Sequence, residues 1–131
     1  MDVVKIIKYS IILILLQIAS GAVVAQYVNF GQALSVGSYE YLGLNYVSSF
    51  ICSVALLTFA ALGLRSKVFS HLIAISAFVY ISGNLVTFSL LQEPLPLDLY
   101  LVDAIFSAAV AATAWLISRA VKNARSLQHG N

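Results

Sequence analysis

Thr58-Phe59-Ala60-Ala61-Leu62-Gly63-Leu64-Arg65-Ser66-Lys67-Val68-Phe69-Ser70-His71-Leu72-Ile73-Ala74 joins two long apolar runs through a short basic break. A bilayer-crossing helix needs about 20 mostly apolar residues, and the runs on either side of Arg65-Ser66-Lys67 both reach that length. The second crossing is predicted over Gly43 to Leu64 and the third over Val68 to Leu91. Outward from there, a first crossing is predicted over Ile6 to Gln26 and a fourth over Leu97 to Val121. Gln92-Glu93-Pro94-Leu95-Pro96 separates the last two. Its prolines cannot donate backbone hydrogen bonds and push their predecessors out of helical geometry, so this is a turn.

Composition agrees. The chain has 131 residues, which is one domain at most. It is 61% hydrophobic and 9% charged, with a mean hydropathy of +0.96. About a quarter of the residues in a soluble domain are charged, so a lipid bilayer is the partner that this composition requires. Nucleic-acid binding has no support, because no basic patch is interleaved with exposed aromatics. The single cysteine, Cys52, excludes an internal disulfide or a paired-cysteine metal motif. His71 and His129 are too few and too far apart to suggest a metal centre, and no cofactor is implied.

Orientation follows from the basic residues, which favour the cytoplasmic side. Lys5 and Lys8 precede or open span one, Arg65 and Lys67 follow span two, and Arg119, Lys122 and Arg125 close span four. All seven basic residues fall on one side, and Glu40, Glu93 and Asp98 fall on the other. The expectation is an all-α membrane protein: an antiparallel four-transmembrane-helix bundle, with both termini in the cytoplasm and the bacterial inner (plasma) membrane as its location. Residues 27–42 are expected to lie along the outer interface, where Tyr27, Tyr39, Tyr41, Tyr46 and Tyr100 gather as anchors. Tyr9, Phe69 and Trp115 lie nearer the inner boundary. The tail from Lys122 is read as frayed, and His71 as reaching toward the inner interface beside Arg65 and Lys67.

The start of the chain admits a second reading. Lys5 and Lys8 before an apolar run that ends in Val23-Val24-Ala25 have the form of a secretory signal cleaved after Ala25, which would leave three spans. The length of the run and the polar face on span one favour a retained helix.

Polar groups inside a bilayer are costly, so their placement carries information. Gln17, Ser20, Gly21 and Val24 share one face of span one by their i, i+3, i+4 and i+7 spacing. Asn45, Ser48, Ser49 and Cys52 repeat that spacing in span two, and Tyr80, Gly83, Asn84 and Thr87 repeat it in span three. In span four Asp103 and Ser107 open a stripe that continues through Ala111, Ala114 and Ser118. By the helical rise, Asp103 lies about 8 Å and Asn84 about 10 Å below the outer edge. Packing in chain order, which the short connections favour, would converge these faces on an outward pocket of Asp103, Asn84, Ser107, Tyr80, Asn45, Ser49 and Gln17. Asp103 can be structural, accepting a hydrogen bond from Asn84, Ser107 or a tyrosine, or functional, as a proton or cation acceptor or the anchor for a polar head group. Ala104, Ala108, Ala111 and Ala112 allow close helix contact within the bundle or with a second copy.

Three stretches, Leu44-Asn45-Tyr46-Val47-Ser48-Ser49, Tyr80-Ile81-Ser82-Gly83-Asn84 and Tyr100-Leu101-Val102-Asp103, give the chain a form that resembles the DoxX-like family of small four-helix membrane proteins. The nearest likeness is to a bacterial branch without an assigned reaction, and it spans nearly the whole chain. That branch typically has a glycine-arginine pair in helix three and a glutamate in helix four. Gly83-Asn84 and Asp103 stand in those places here. Asparagine cannot form the ion pair that arginine would, and the start of span two lacks the charged group often found there. The resemblance implies a fold and no reaction.

The functions left open are a non-enzymatic module binding a lipid or small amphipathic ligand, an accessory subunit of a larger membrane complex, and a proton-coupled small transporter. The last fits least, because span one offers only Gln17 where such exporters place an acid. Asp103 has no base, nucleophile or metal partner in the pattern, so no catalytic site is expected.

Overall fold

The computed structural model of the chain describes residues 2–31, 39–64, 66–92 and 96–128. The expectations for residues 32–38, Arg65, Glu93, Pro94, Leu95 and His129, and for the side chains of Tyr39, Glu40 and Tyr41, lie outside those residues. Four helices follow one another: α1 Val3–Gly31, α2 Tyr39–Leu62, α3 Val68–Leu91 and α4 Leu97–Gln128. Each contains a stretch long and apolar enough to cross a membrane: Val3–Tyr27, Gly43–Leu62, Val68–Ser89 and Leu97–Leu127.

Several helices run further than the sequence suggests. No glycine or proline interrupts Tyr27-Val28-Asn29-Phe30, so α1 continues past Gln26 to Gly31, and α2 already begins at Tyr39. The tail beyond Val121 is helical to Gln128 rather than frayed. Arg125 in its last turn complements the negative end of the helix dipole. Both ends of α3 turn through left-handed residues, Lys67 at φ 50° and Gln92 at φ 56°, and the Gln92 N–H donates to the Phe88 carbonyl.

The helices do not pack in chain order. α1 lies against α2 and α3, and α4 lies against the same two. α2 and α3 are therefore diagonal and their backbones barely meet, while the backbones of α1 and α4 stay apart among the described residues. The link Gly63–Lys67 can make this crossing. Five residues reach at most about 17 Å, and a diagonal between helices spaced about 8–10 Å apart is about 13 Å. Buried alanines on α2 (Ala60, Ala61) and α4 (Ala111, Ala114) favour that pairing by letting the backbones come close.

The core lies in the half of the bundle nearer His71. Leu13, Leu57, Leu72, Ile75, Val110, Ala111 and Ala114 are buried there, with every helix contributing. Outside, Leu15, Ile51, Phe59, Ile81 and Ile105 are exposed around the bundle, a surface suited to lipid rather than water. Ala104 and Ala108 also face outward, so only part of the alanine set on α4 is used within the bundle.

Polar groups stitch the His71 end. His71 is buried and does not reach outward as expected. The Asp2 backbone N–H donates to its Nε2 at 2.9 Å, and its Nδ1 lies 2.9 Å from the Lys67 carbonyl. An amide can only donate, so Nε2 is the acceptor and Nδ1 carries the proton. Lys122 reaches from α4 to cap α2, its Nζ donating to the carbonyls of Ala61 at 2.9 Å and Leu64 at 2.8 Å. The Ala61 carbonyl, in the last turn of α2, also accepts the Leu64 N–H at 3.2 Å, and Leu64 lies two residues past the helix. Phe69 and Trp115 meet edge to face at 5.5 Å, and Arg119 lies over the Trp115 ring.

Lys122→Met removes both bonds and should lower stability by about 1.5–3 kcal/mol, the usual range for hydrogen bonds to a charged group. Thermal unfolding in detergent measures this, and an unchanged midpoint would mean that those carbonyls are satisfied without Lys122. Asp2 caps α1 by accepting the Lys5 backbone N–H at 3.2 Å. That bond, helped by the Lys5 ammonium, holds the Asp2 carboxyl below the usual aspartate value. A lowered folded-state value stabilises the cap above the ordinary aspartate range, and the contribution is lost as pH falls through the lowered value. Amide exchange in the first turn of α1, corrected for intrinsic rates, should therefore rise on acidification, and Asp2→Asn should flatten that rise.

Candidate functional site

At the end opposite His71 the four polar faces meet. Helical spacing puts Gln17 and Gly21 on one side of α1, and Asn45 and Ser49 on one side of α2. It does the same for Tyr80, Gly83, Asn84 and Thr87 on α3, and for Asp103 and Ser107 on α4. All seven residues expected in the pocket (Gln17, Asn45, Ser49, Tyr80, Asn84, Asp103 and Ser107) line a single cleft of about 390 Å³. Ile18, Val79 and Phe106 add apolar wall to it.

Asp103 accepts a hydrogen bond on Oδ1 from the Tyr46 hydroxyl at 2.8 Å. The donor is thus a tyrosine of α2, so the bond ties α2 to α4 rather than α3 to α4. Asn84 instead donates its Nδ2 to the Tyr80 carbonyl within α3, at 2.9 Å. The Tyr80 hydroxyl crosses to the Tyr100 carbonyl of α4 at 3.3 Å. On the far wall Gln17 donates to Ser53 Oγ at 3.3 Å, and the Ser20 and Ser48 hydroxyls pair at 2.8 Å. These two contacts fasten α1 to α2. Gly21 faces Asn45, and a Cβ there would lie 3.4 Å from Asn45 Oδ1, at the edge of ordinary contact. That oxygen is buried and has no hydrogen-bond partner.

Below, the cleft narrows to a lobe of about 10 Å³ between Gln17, Ser53, Ser76 and Ser107, about the room of one water molecule. Leu13, Val79 and Val110 also line that lobe, and the apolar core continues beyond it. To one side a shallow groove of about 260 Å³ runs over Tyr46, Val47, Phe50, Ile51 and Phe106. Its aromatic members are locked edge to face, with Phe106 at 5.3 Å from Tyr46 and 5.8 Å from Phe50. Tyr46 and Phe106 are walls of both the groove and the cleft.

Tyr46 is the residue that the sequence reading misassigned, by taking it for an interfacial anchor. Its i, i+3, i+7 register with Ser49 and Ser53 was a readable sign that it faces inward. Phe106 and Val79 carried no such sign, because an apolar side chain in a membrane helix suits lipid and cavity equally. Cys52 is half-buried and is not part of the cleft wall.

The wall's chemistry is one carboxylate amid amides, hydroxyls and aromatic rings. No lysine, arginine or histidine stands among its described residues. Among the described residues no three His, Cys, Asp or Glu side chains gather closely enough to hold a metal ion. Compared with protein-family models, curated proteins and solved structures, the chain finds no match in any of the three.

Tyr46→Phe deletes the hydroxyl that meets Asp103 and keeps the ring against Phe106. It should cost about 1 kcal/mol, between the typical value for polar contacts in membranes and that for bonds to charged groups. The shift in thermal midpoint should vanish when Tyr46→Phe is made in an Asp103→Ala background.

Proposed function

We propose that this chain is a multi-pass protein of the bacterial inner (plasma) membrane, an antiparallel four-helix bundle with both termini in the cytoplasm, whose cleft opens outward and binds the polar head of a lipid or other small amphipathic ligand. It does no covalent chemistry on that ligand. One observation carries the reading: four polar faces converge on a cleft that shares Tyr46 and Phe106 with an apolar groove. A cleft with polar walls and an apolar groove beside it matches a molecule with a polar head and an apolar body.

The orientation rests on the charges. Lys5, Lys8, Lys67, Arg119, Lys122 and Arg125 belong to the helix ends gathered around His71, and Asp98 and Asp103 to the opposite ends. The positive-inside rule makes the His71 end cytoplasmic. A proton-coupled carrier draws less support, because Gln17 on α1 is neutral and already bonded to Ser53, and because the apolar core stands between the cleft and the other end. The likeness to DoxX-like proteins bears on the fold alone and adds no reaction.

Cysteine labelling tests orientation and binding together. In a Cys52→Ala background, Thr87→Cys on the cleft wall should react with a membrane-impermeant maleimide added outside intact cells. Ser126→Cys near the end of α4 should react only after permeabilisation. The opposite pattern would reverse the topology. Added single-chain amphiphiles should slow labelling of Thr87→Cys, and a rate indifferent to all of them would remove the binding role.

A further inference from the structure

Asp103 is the one ionisable acid on the cleft wall, and its charge has no partner there. Tyr46 occupies Oδ1. Among the described residues the ion pair found is Lys5 with Asp2, at the far end of the bundle. A carboxylate within a membrane-spanning helix usually pairs with a cation or faces a cavity that supplies one. On the facing wall Asn45 Oδ1 is a buried acceptor without a donor, and such a group is expensive to leave unpaired. Both groups are acceptors that an N–H donor can satisfy, and the carboxylate adds a negative charge that no cation on the wall meets.

The surroundings suit the same kind of group. Tyr46, Tyr80 and Phe106 line the cleft, and aromatic rings attract cations over their faces. The apolar groove past Tyr46 and Phe106, bounded by Phe50 and Ile51, offers a path for an alkyl chain. A chain cannot descend instead, because the cleft closes to about 10 Å³ below Gln17 and Ser107.

We infer that the cleft binds a primary or secondary alkylammonium head, paired with Asp103 and donating N–H bonds to it and to Asn45, with its chain laid along the Tyr46–Phe50–Ile51–Phe106 groove. The inference rests on the ligand-binding reading above and names the ligand's chemistry. A free long-chain amine and the ethanolamine head of a phospholipid carry the same group.

The test uses the purified full-length protein in a non-ionic detergent, with dodecylamine, dodecyltrimethylammonium and dodecanol as probes and binding read by calorimetry. Dodecylamine should bind at least about tenfold more tightly than dodecanol, the scale of one paired charge in a partly buried site. Asp103→Asn should erase that preference and leave dodecanol unchanged. Dodecyltrimethylammonium, which has the charge but no N–H, should bind more weakly than dodecylamine. Gly83→Leu is a second variant that leaves Asp103 in place. A Cβ at Gly83 meets open space, so the leucine partly fills the cleft and should weaken every probe. Circular dichroism checks that both variants remain helical.

In lipid discs, enrichment of phosphatidylethanolamine over phosphatidylcholine that depends on Asp103 would support the inference with a lipid as the source. A response to dodecylamine without that enrichment would support it with a free amine. Equal binding of dodecylamine and dodecanol by both wild type and Asp103→Asn would overturn the ammonium assignment while leaving the cleft as a binding site. Equal binding of the two cations would overturn the N–H requirement. Probe binding untouched by Gly83→Leu would overturn the cleft reading and this inference with it.

Discussion

A polar group inside hydrocarbon has no water to turn to, so a partner within the bundle is strongly favoured. That constraint explains the placement of nearly every side-chain hydrogen bond between helices. Gln17 and Ser20 face α2 because Ser53 and Ser48 are there, and Tyr46 turns from the lipid toward Asp103. His71 is drawn inward by an amide of α1, and Lys122 folds back over the open end of α2. Because lipid is as apolar as leucine, burying more apolar surface would not position the helices. Directional bonds and close-packed small residues do so instead.

The bundle is accordingly unequal along its length. Around Leu13, Leu57, Leu72 and Ile75 the helices are in dry contact, with alanines of α2 and α4 setting their spacing. Toward Asp103 the contacts become single bonds across a gap, and the gap is the cleft. The closely packed half holds together the helices whose other halves wall the cleft.

Much of this was legible in the sequence, and the exceptions have physical causes. The four helices follow from length and hydropathy. The members of the cleft follow from period, since residues spaced i, i+3, i+4 and i+7 share a face whichever way the helix is later turned. The order of the helices around the bundle does not follow, because a link such as Gly63–Lys67 can reach a neighbour or a diagonal equally well. Long-range choices were also hidden: nothing near His71 in sequence announces a bond to the amide of Asp2, and nothing near Lys122 points to the carbonyls of Ala61 and Leu64. The tyrosine of the pair was misplaced because tyrosine serves both boundary and interior, and only its partner decides between them.

The diagonal link bears on how such a bundle is made. Helices emerge during synthesis in chain order, and the cleft draws its central bond from α2 and α4, which are not consecutive. Tyr46 is made with α2 before Asp103 exists, and the whole of α3 comes between them in the chain. The first two helices can fasten to each other early through Gln17–Ser53 and Ser20–Ser48, leaving one side of the future cup open. The last helix closes it and, by the reach of Lys122 onto the end of α2, latches itself to a segment made two crossings earlier. A nascent chain stalled before α4 would hold three walls of the cleft without Asp103, so the cleft and its carboxylate are completed together, by the last helix.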